Sequence, residues 1–149
     1  MRIFVVLALL VIISAACSSL KLSPAEFGWP IESVQKVDKE GFVKEDRYSF
    51  SFNSKALFLE EMQDSMAYQG KDLRIIRNQD GYYFITSKSF KNVYIFEQAE
   101  ASLELKEKVF VSENGLNNPF FNQRNPYIEL VDGDFKIFLT GEGIYGGAK

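Results

Sequence analysis

The chain has 149 residues, of which 17 are Lys or Arg and 20 are Asp or Glu, so its net charge is −3 at pH 7. It contains no histidine and one cysteine, which excludes zinc sites of the usual ligand types and both Ser–His–Asp and Cys–His catalytic pairs. The charge does not favour a nucleic-acid partner, and no P-loop or dinucleotide-binding glycine motif is present. The composition therefore predicts a protein without a metal or cofactor.

The first 16 residues have the order of regions that is typical of a secretory signal peptide. Arg2 supplies a positive charge, residues 3–13 are an unbroken apolar run, and residues 14–16 are small. The apolar run is shorter than the roughly 20 residues that a membrane-spanning helix needs. We therefore predict that residues 1–16 are a cleaved signal peptide.

Cys17 follows the small residues directly, in the sequence Ser-Ala-Ala-Cys. This sequence resembles the lipobox of bacterial lipoproteins, and the resemblance covers residues 1–19. It implies that the Cys17 thiol carries a diacylglyceryl group and that the new amine is acylated, so that fatty-acyl chains such as palmitate anchor the protein. Ser18 in the next position implies the outer membrane of the bacterial cell envelope, facing the periplasm. The alternative is an ordinary cleaved signal peptide that leaves one free thiol.

Strand and turn signals follow one another from residue 29 onwards, after a polar tether at 17–28. Tyr48, Phe50 and Phe52 alternate with serines, which predicts three aromatic rings on one face of a strand. The predicted strands lie within 29–37, 42–53, 72–77, 82–87, 92–98, 102–113 and 127–141, the last range being a tight hairpin. We predict a single β-rich domain at 29–141 and a flexible, glycine-rich tail at 142–149.

Residues 55–69 have a different pattern, which predicts one short helix. Ser54 is suited to cap it and Gly70 to end it, while Leu59, Met62 and Met66 recur at helical spacing. The alternative is a strand at 55–60 that pairs with the preceding strand.

Sequential hairpins favour an antiparallel meander. Residues 82–85, 93–96 and 135–139 are apolar at nearly every position, so both faces of their sheet require cover. We therefore predict a mainly β fold, a small β-sandwich or partly open barrel with the helix packed against it.

The segment 113–127 combines five asparagines and two prolines with an adjacent pair of phenylalanines, which predicts a long loop. Amide and aromatic side chains can grip a sugar, a peptide or a partner protein. The candidate binding residues are Asn117, Asn118, Phe120, Phe121, Asn122, Arg124 and Tyr127. In the alternative interpretation, the phenylalanine pair plugs one end of the core and the asparagines satisfy local backbone groups. The nearby Asp132-Gly133-Asp134 predicts a hairpin turn rather than a calcium loop.

Three functions remain open for this sequence. The favoured one is a lipid-anchored, non-catalytic envelope module that binds another protein. The second is a lipocalin-like barrel that binds a small apolar ligand or a glycan, which the aromatic content of 15% suggests. The third is a carboxylate-based hydrolase of envelope glycans, although no acid pair is recognisable.

Overall fold

The computed structural model describes residues 31–146. The predicted signal peptide, the lipidation of Cys17 and the tether lie outside the described residues, as do residues 147–149 of the predicted tail. The described chain forms one helix, α1 (Lys55–Met62), and eleven strands: β1 Ser33–Lys36, β2 Phe42–Glu45, β3 Phe50–Asn53, β4 Asp72–Arg77, β5 Tyr83–Thr86, β6 Asn92–Gln98, β7 Leu103–Phe110, β8 Phe120–Arg124, β9 Tyr127–Asp132, β10 Phe135–Thr140 and β11 Gly143–Ile144.

These strands form three sheets in which every pairing is antiparallel. The larger two are a five-stranded sheet in the order β1-β4-β5-β6-β7 and a four-stranded sheet in the order β11-β10-β9-β8, while β2 and β3 form a separate hairpin. Chain neighbours pair throughout β4–β7 and β8–β11, as the meander predicts. The prediction of a mainly β, antiparallel fold with one short helix is confirmed. Of the two predicted forms, the described sheets make a small sandwich and do not close into a barrel.

The five-stranded sheet is covered on both faces, which explains its continuous apolar strands. All four residues of β5 are buried, and Phe84 and Ile85 belong to different hydrophobic clusters because successive side chains point to opposite faces. The Phe84 cluster joins this sheet to the four-stranded sheet through Leu130 and its neighbours. The Ile85 cluster joins it to α1 and the β2–β3 hairpin through Phe58 and Val43.

The helix is half as long as predicted. It ends at Met62, Gln63 takes a left-handed conformation with φ of 56°, and the Asp64 carboxylate accepts a 2.9 Å hydrogen bond from the Met66 backbone N–H. Such a local bond stabilises a turn in competition with the helix. Leu57 and Phe58 are buried, whereas Leu59, one of the residues that recur at helical spacing, is exposed. The Phe58 ring centroid lies 5.0 Å from that of Phe90.

Two connections also differ from the sequence prediction. Residues 120–124, part of the predicted loop, form β8 and pair with β9 through Phe121↔Leu130 and neighbouring registers. Asparagine and proline are typical of loops, and they conceal this short strand, which its hairpin pairing with β9 stabilises. Residues 143 and 144, predicted to be tail, form β11 and pair with β10. The Tyr145 backbone N–H extends this contact by donating to the Phe138 carbonyl at 2.8 Å.

Candidate functional site

Four of the seven predicted binding residues share the outer face of the four-stranded sheet. Phe120, Asn122 and Arg124 alternate along β8, and Arg124 lies directly opposite Tyr127 on β9. Phe121 points the other way and is only 3% exposed, within the core between the two large sheets. The pair of phenylalanines therefore divides, one ring facing outwards and the other plugging the core.

Asn117 and Asn118 make backbone contacts to the neighbouring hairpin. Their backbone N–H groups donate to the two carboxylate oxygens of Asp132, at 2.9 and 2.6 Å. Asp132 ends β9 and pairs with Phe135 across the tight turn at Gly133, as the hairpin prediction requires. The two asparagines thus attach the loop at 113–119 to the four-stranded sheet through their backbone.

A buried carboxylate organises the middle of the outer face. Glu129 accepts hydrogen bonds from Asn122 Nδ2 at 3.0 Å and from Arg124 Nε at 3.3 Å. The bond from Asn122 and the adjacent Arg124 guanidinium hold the pKa of Glu129 below its ordinary value. Arg124 is fixed by this contact, yet its side chain remains 62% exposed.

Exposed aromatic rings lie beside this polar group. The Tyr127 ring centroid is 4.3 Å from that of Tyr145 and 5.8 Å from that of Phe138. Phe138 is 41% exposed and Tyr145 58% exposed. We call Tyr127, Phe138, Tyr145 and Arg124 the aromatic face. The sequence analysis missed Phe138 and Tyr145, because only the pairing of β9, β10 and β11 brings them to Tyr127.

A second feature, also missed, is a groove between the β2–β3 hairpin, α1 and the β5–β7 region of the five-stranded sheet. Its volume is about 710 Å³. We call it the aromatic groove, because its lining includes six aromatic rings: Tyr48, Phe50, Phe52, Tyr83, Tyr94 and Phe96. The predicted alternation holds for Phe50 and Phe52 on β3, whereas Tyr48 lies in the turn before the strand, where Ser49 has a φ of 55°. All three side chains pack against the same hydrophobic cluster.

Edge-to-face contacts set the wall of the groove. The Phe50 and Tyr48 ring centroids lie 5.3 and 5.6 Å from that of Tyr83, both nearly perpendicular to it. The Arg77 guanidinium lies 5.6 Å from the Tyr48 ring centroid and 5.4 Å from that of Tyr83. The hairpin is thus held against the sheet at this side, while Leu105 on β7 remains 52% exposed beside the opening.

The helix side of the groove carries two carboxylates with different surroundings. Glu61 accepts hydrogen bonds from Tyr94 Oη at 2.8 Å, from Asn92 Nδ2 at 2.7 Å and from the Lys91 backbone N–H at 2.6 Å. Burial and the Glu61 contact both raise the pKa of Tyr94. Glu60 lines the groove and forms an ion pair with Lys108. Glu61 is therefore a structural anchor of α1, whereas Glu60 faces the groove.

Comparisons of the chain with protein-family models, with curated proteins and with solved structures found no match. Across residues 31–146, no helix has the length and apolar character required to cross a membrane. Within the same range, no group of three or more acidic side chains is placed to hold a metal ion. The aromatic face and the aromatic groove are the two features of these residues that bear on function.

Proposed function

We propose that this protein is a lipid-anchored module of the bacterial cell envelope, without catalytic activity, that binds a partner protein through the aromatic face. The observation that carries this proposal is the cluster of exposed rings around Tyr127. Tyr145 and Phe138 expose large apolar areas around Tyr127. Arg124 lies opposite Tyr127 on β8 and is 62% exposed. Clustered exposed apolar groups are typical of interaction sites rather than of inert surface.

The residue types of the aromatic face are those that dominate binding energy in protein interfaces. Tyr and Arg are enriched among the residues whose truncation costs most in affinity. Here Arg124 is already held by Glu129, and Tyr127 is already packed against Tyr145. Groups that are ordered before binding lose less conformational entropy on association, which favours affinity.

The proposed location rests on the N-terminal sequence. A lipidated Cys17 places the domain at the membrane surface, and the tether of residues 17–28 separates the two. Stable anchoring requires more than one acyl chain, which the lipoprotein type of modification provides. Ser18 favours the outer membrane, and the periplasm is then the compartment in which the partner is expected.

The absence of catalysis is proposed from the chemistry of the available side chains. The chain has no histidine, so that imidazole acid–base catalysis is excluded. Glu129 on the aromatic face is held by Asn122 and Arg124. Of the two carboxylates that line the groove, Glu60 is paired with Lys108. A carboxylate hydrolase requires a pair of acids that flank the substrate.

A site-specific photocrosslinker tests the proposed interface. We would place a benzophenone side chain at position 145 of the full-length protein in its native envelope, and in parallel at Gln79, which is exposed on the β4–β5 turn. We expect a defined protein adduct from position 145 and none of that mass from position 79. Phe138→Ala should weaken the adduct without changing the melting temperature. Equal adducts from both positions, or no adduct from position 145 in correctly located protein, would contradict the proposal.

A second candidate function, the binding of a small ligand, is favoured by the aromatic groove. Its volume of about 710 Å³ lies within the range of roughly 300–1,000 Å³ that is usual for small-molecule sites. Unlike the sheet of a lipocalin-like barrel, the described sheets pack face to face instead of closing around a cavity. The groove lies outside the sandwich, under the hairpin and the helix.

A further inference from the structure

We propose that the aromatic groove binds an elongated apolar molecule that carries a cationic group, and that it discriminates against the corresponding carboxylate. This inference rests on the second candidate function and names the class of its ligand. The lining is predominantly apolar, with aromatic rings on β3, β5 and β6 and aliphatic side chains on α1 and β7. A flexible apolar chain can therefore bury its surface along the groove.

The ionisable side chains that line the groove set its charge preference. Glu60 and Glu100 are both acidic, and no Lys or Arg is among the lining residues of the described chain. Glu60 is paired with Lys108, whereas none of the ion pairs in residues 31–146 involves Glu100. A carboxylate ligand would bring a second negative charge next to these groups while losing water, which is unfavourable. The charge of a cationic ligand would instead be balanced by these carboxylates.

The aromatic lining reinforces the same preference. The face of an aromatic ring carries negative charge density and attracts ammonium and guanidinium groups. Arg77, which is not part of the lining, already lies against the rings of Tyr48 and Tyr83. The like charge of Arg77 disfavours a second cation at those two rings. The cation of the ligand is therefore expected beside Glu100, on the β6–β7 turn.

Three amphiphiles with alkyl chains of seven or eight carbons test this inference, since they differ mainly in the head group: octyltrimethylammonium, octanol and octanoate. Calorimetry measures binding to the full mature chain carrying Cys17→Ser, which needs no detergent. The probes are used below the concentrations at which they form micelles. We expect octyltrimethylammonium to bind about tenfold more tightly than octanoate, with octanol between them. Glu100→Gln should weaken ammonium binding about threefold to fivefold, as for a partly exposed ion pair, and leave octanol unchanged.

Two further variants separate a wrong ligand class from a wrong site. Leu105→Arg places a cation at the exposed mouth of the groove and should reduce ammonium binding at least tenfold, whereas Phe138→Ala on the aromatic face should have no effect. If the three probes bind equally and Leu105→Arg weakens them all, the groove is a ligand site but the inferred charge preference is wrong. If no probe binds, or if Leu105→Arg changes nothing, both the inference and the second candidate function are overturned.

Discussion

The Tyr94 hydroxyl on β6 donates a 2.8 Å hydrogen bond to the Glu61 carboxylate near the end of α1. Asn92 Nδ2 and the Lys91 backbone N–H donate to the same carboxylate. One acidic side chain thus joins the helix to β6 of the five-stranded sheet, and β6 carries part of the wall of the aromatic groove. Because Tyr94 is fully buried, its hydroxyl has no water to replace this acceptor.

Tyr94→Phe is expected to lower the free energy of unfolding by about 1.5–3 kcal/mol, the usual range for a hydrogen bond to a charged group. Urea denaturation measures the change. Tyr145→Phe is the matched control. Because the Tyr145 side chain is exposed, this substitution should lower the free energy of unfolding much less. Equal effects of the two substitutions would show that the Glu61 contact does not stabilise the helix.

Gln123 on β8 contains a buried polar group without a partner. Neither its Oε1 nor its Nε2 has a hydrogen-bond partner in residues 31–146, although both atoms are buried. An unsatisfied buried polar group costs roughly 1–3 kcal/mol. Gln123→Met keeps the length of the side chain and should raise the free energy of unfolding by an amount in that range. Destabilisation on denaturant unfolding would mean that the amide makes a stabilising contact which Met cannot make.

The stability of the domain should depend on pH through Glu129. Its pKa in the folded state is lowered from 4.5 by the hydrogen bond from Asn122 and by Arg124. A lowered folded pKa stabilises the fold at pH values above the unfolded pKa, and this contribution is lost as the pH falls through the folded pKa. Glu129→Gln should therefore show a smaller loss of stability than the wild type between pH 5 and pH 3.

Glu32 provides a control of opposite sign for this pH dependence. Burial raises its pKa above 4.5 in the folded state, despite its contacts with the Phe121 backbone N–H and Arg74. Glu32 therefore stabilises the folded state fully at pH values below its pKa in the unfolded chain, and this stabilisation is lost as the pH rises through its pKa in the folded state. Denaturant unfolding at several pH values measures the loss of stability as the pH falls. We expect this loss to be steeper for Glu32→Gln than for the wild type, and shallower for Glu129→Gln. Parallel curves for the two variants would contradict the assignment.

The two adjacent phenylalanines should differ sharply in stability. Phe121→Ala leaves a cavity between the two large sheets and is expected to cost about 3–5 kcal/mol. Phe120→Ala removes a half-buried ring from the outer face and should cost much less. Thermal and urea unfolding of both variants make the comparison. A larger cost at Phe120 than at Phe121 would contradict the observed register of β8.

The lipid anchor is tested by Cys17→Ala, since this removes the only thiol that can be acylated. We expect the variant to leave the detergent-soluble membrane fraction and to accumulate as unprocessed or released protein. Mass spectrometry of the N-terminal peptide should show acyl chains on the wild type only. An unmodified wild-type peptide, with unchanged membrane fractionation, would leave the ordinary cleaved signal peptide as the explanation.

The sequence by itself determined the strands whose signals are local. The β4–β5 turn is one case: the Asn78 carbonyl accepts from the Gly81 N–H at 3.2 Å, and Gly81 has a φ of 94°. Alternation also predicted the shared face of Phe50 and Phe52 on β3 correctly, although Tyr48 reaches the same cluster from the preceding turn. Such features depend on conformational preferences within a few residues, which a single sequence contains in full. The need for cover on both faces of the central sheet follows from the same local patterns.

Only the tertiary structure decided which backbone segments pair and which side chains meet. The strand β8 exists because its backbone pairs with β9, and the buried face of α1 follows from the contact between Phe58 and Phe90. The aromatic face depends on Tyr145 reaching Tyr127 through the pairing of β11 with β10, although the sequence around Tyr145 resembles a tail. Cross-strand register and packing place these side chains together, and neither is encoded by spacing along the chain.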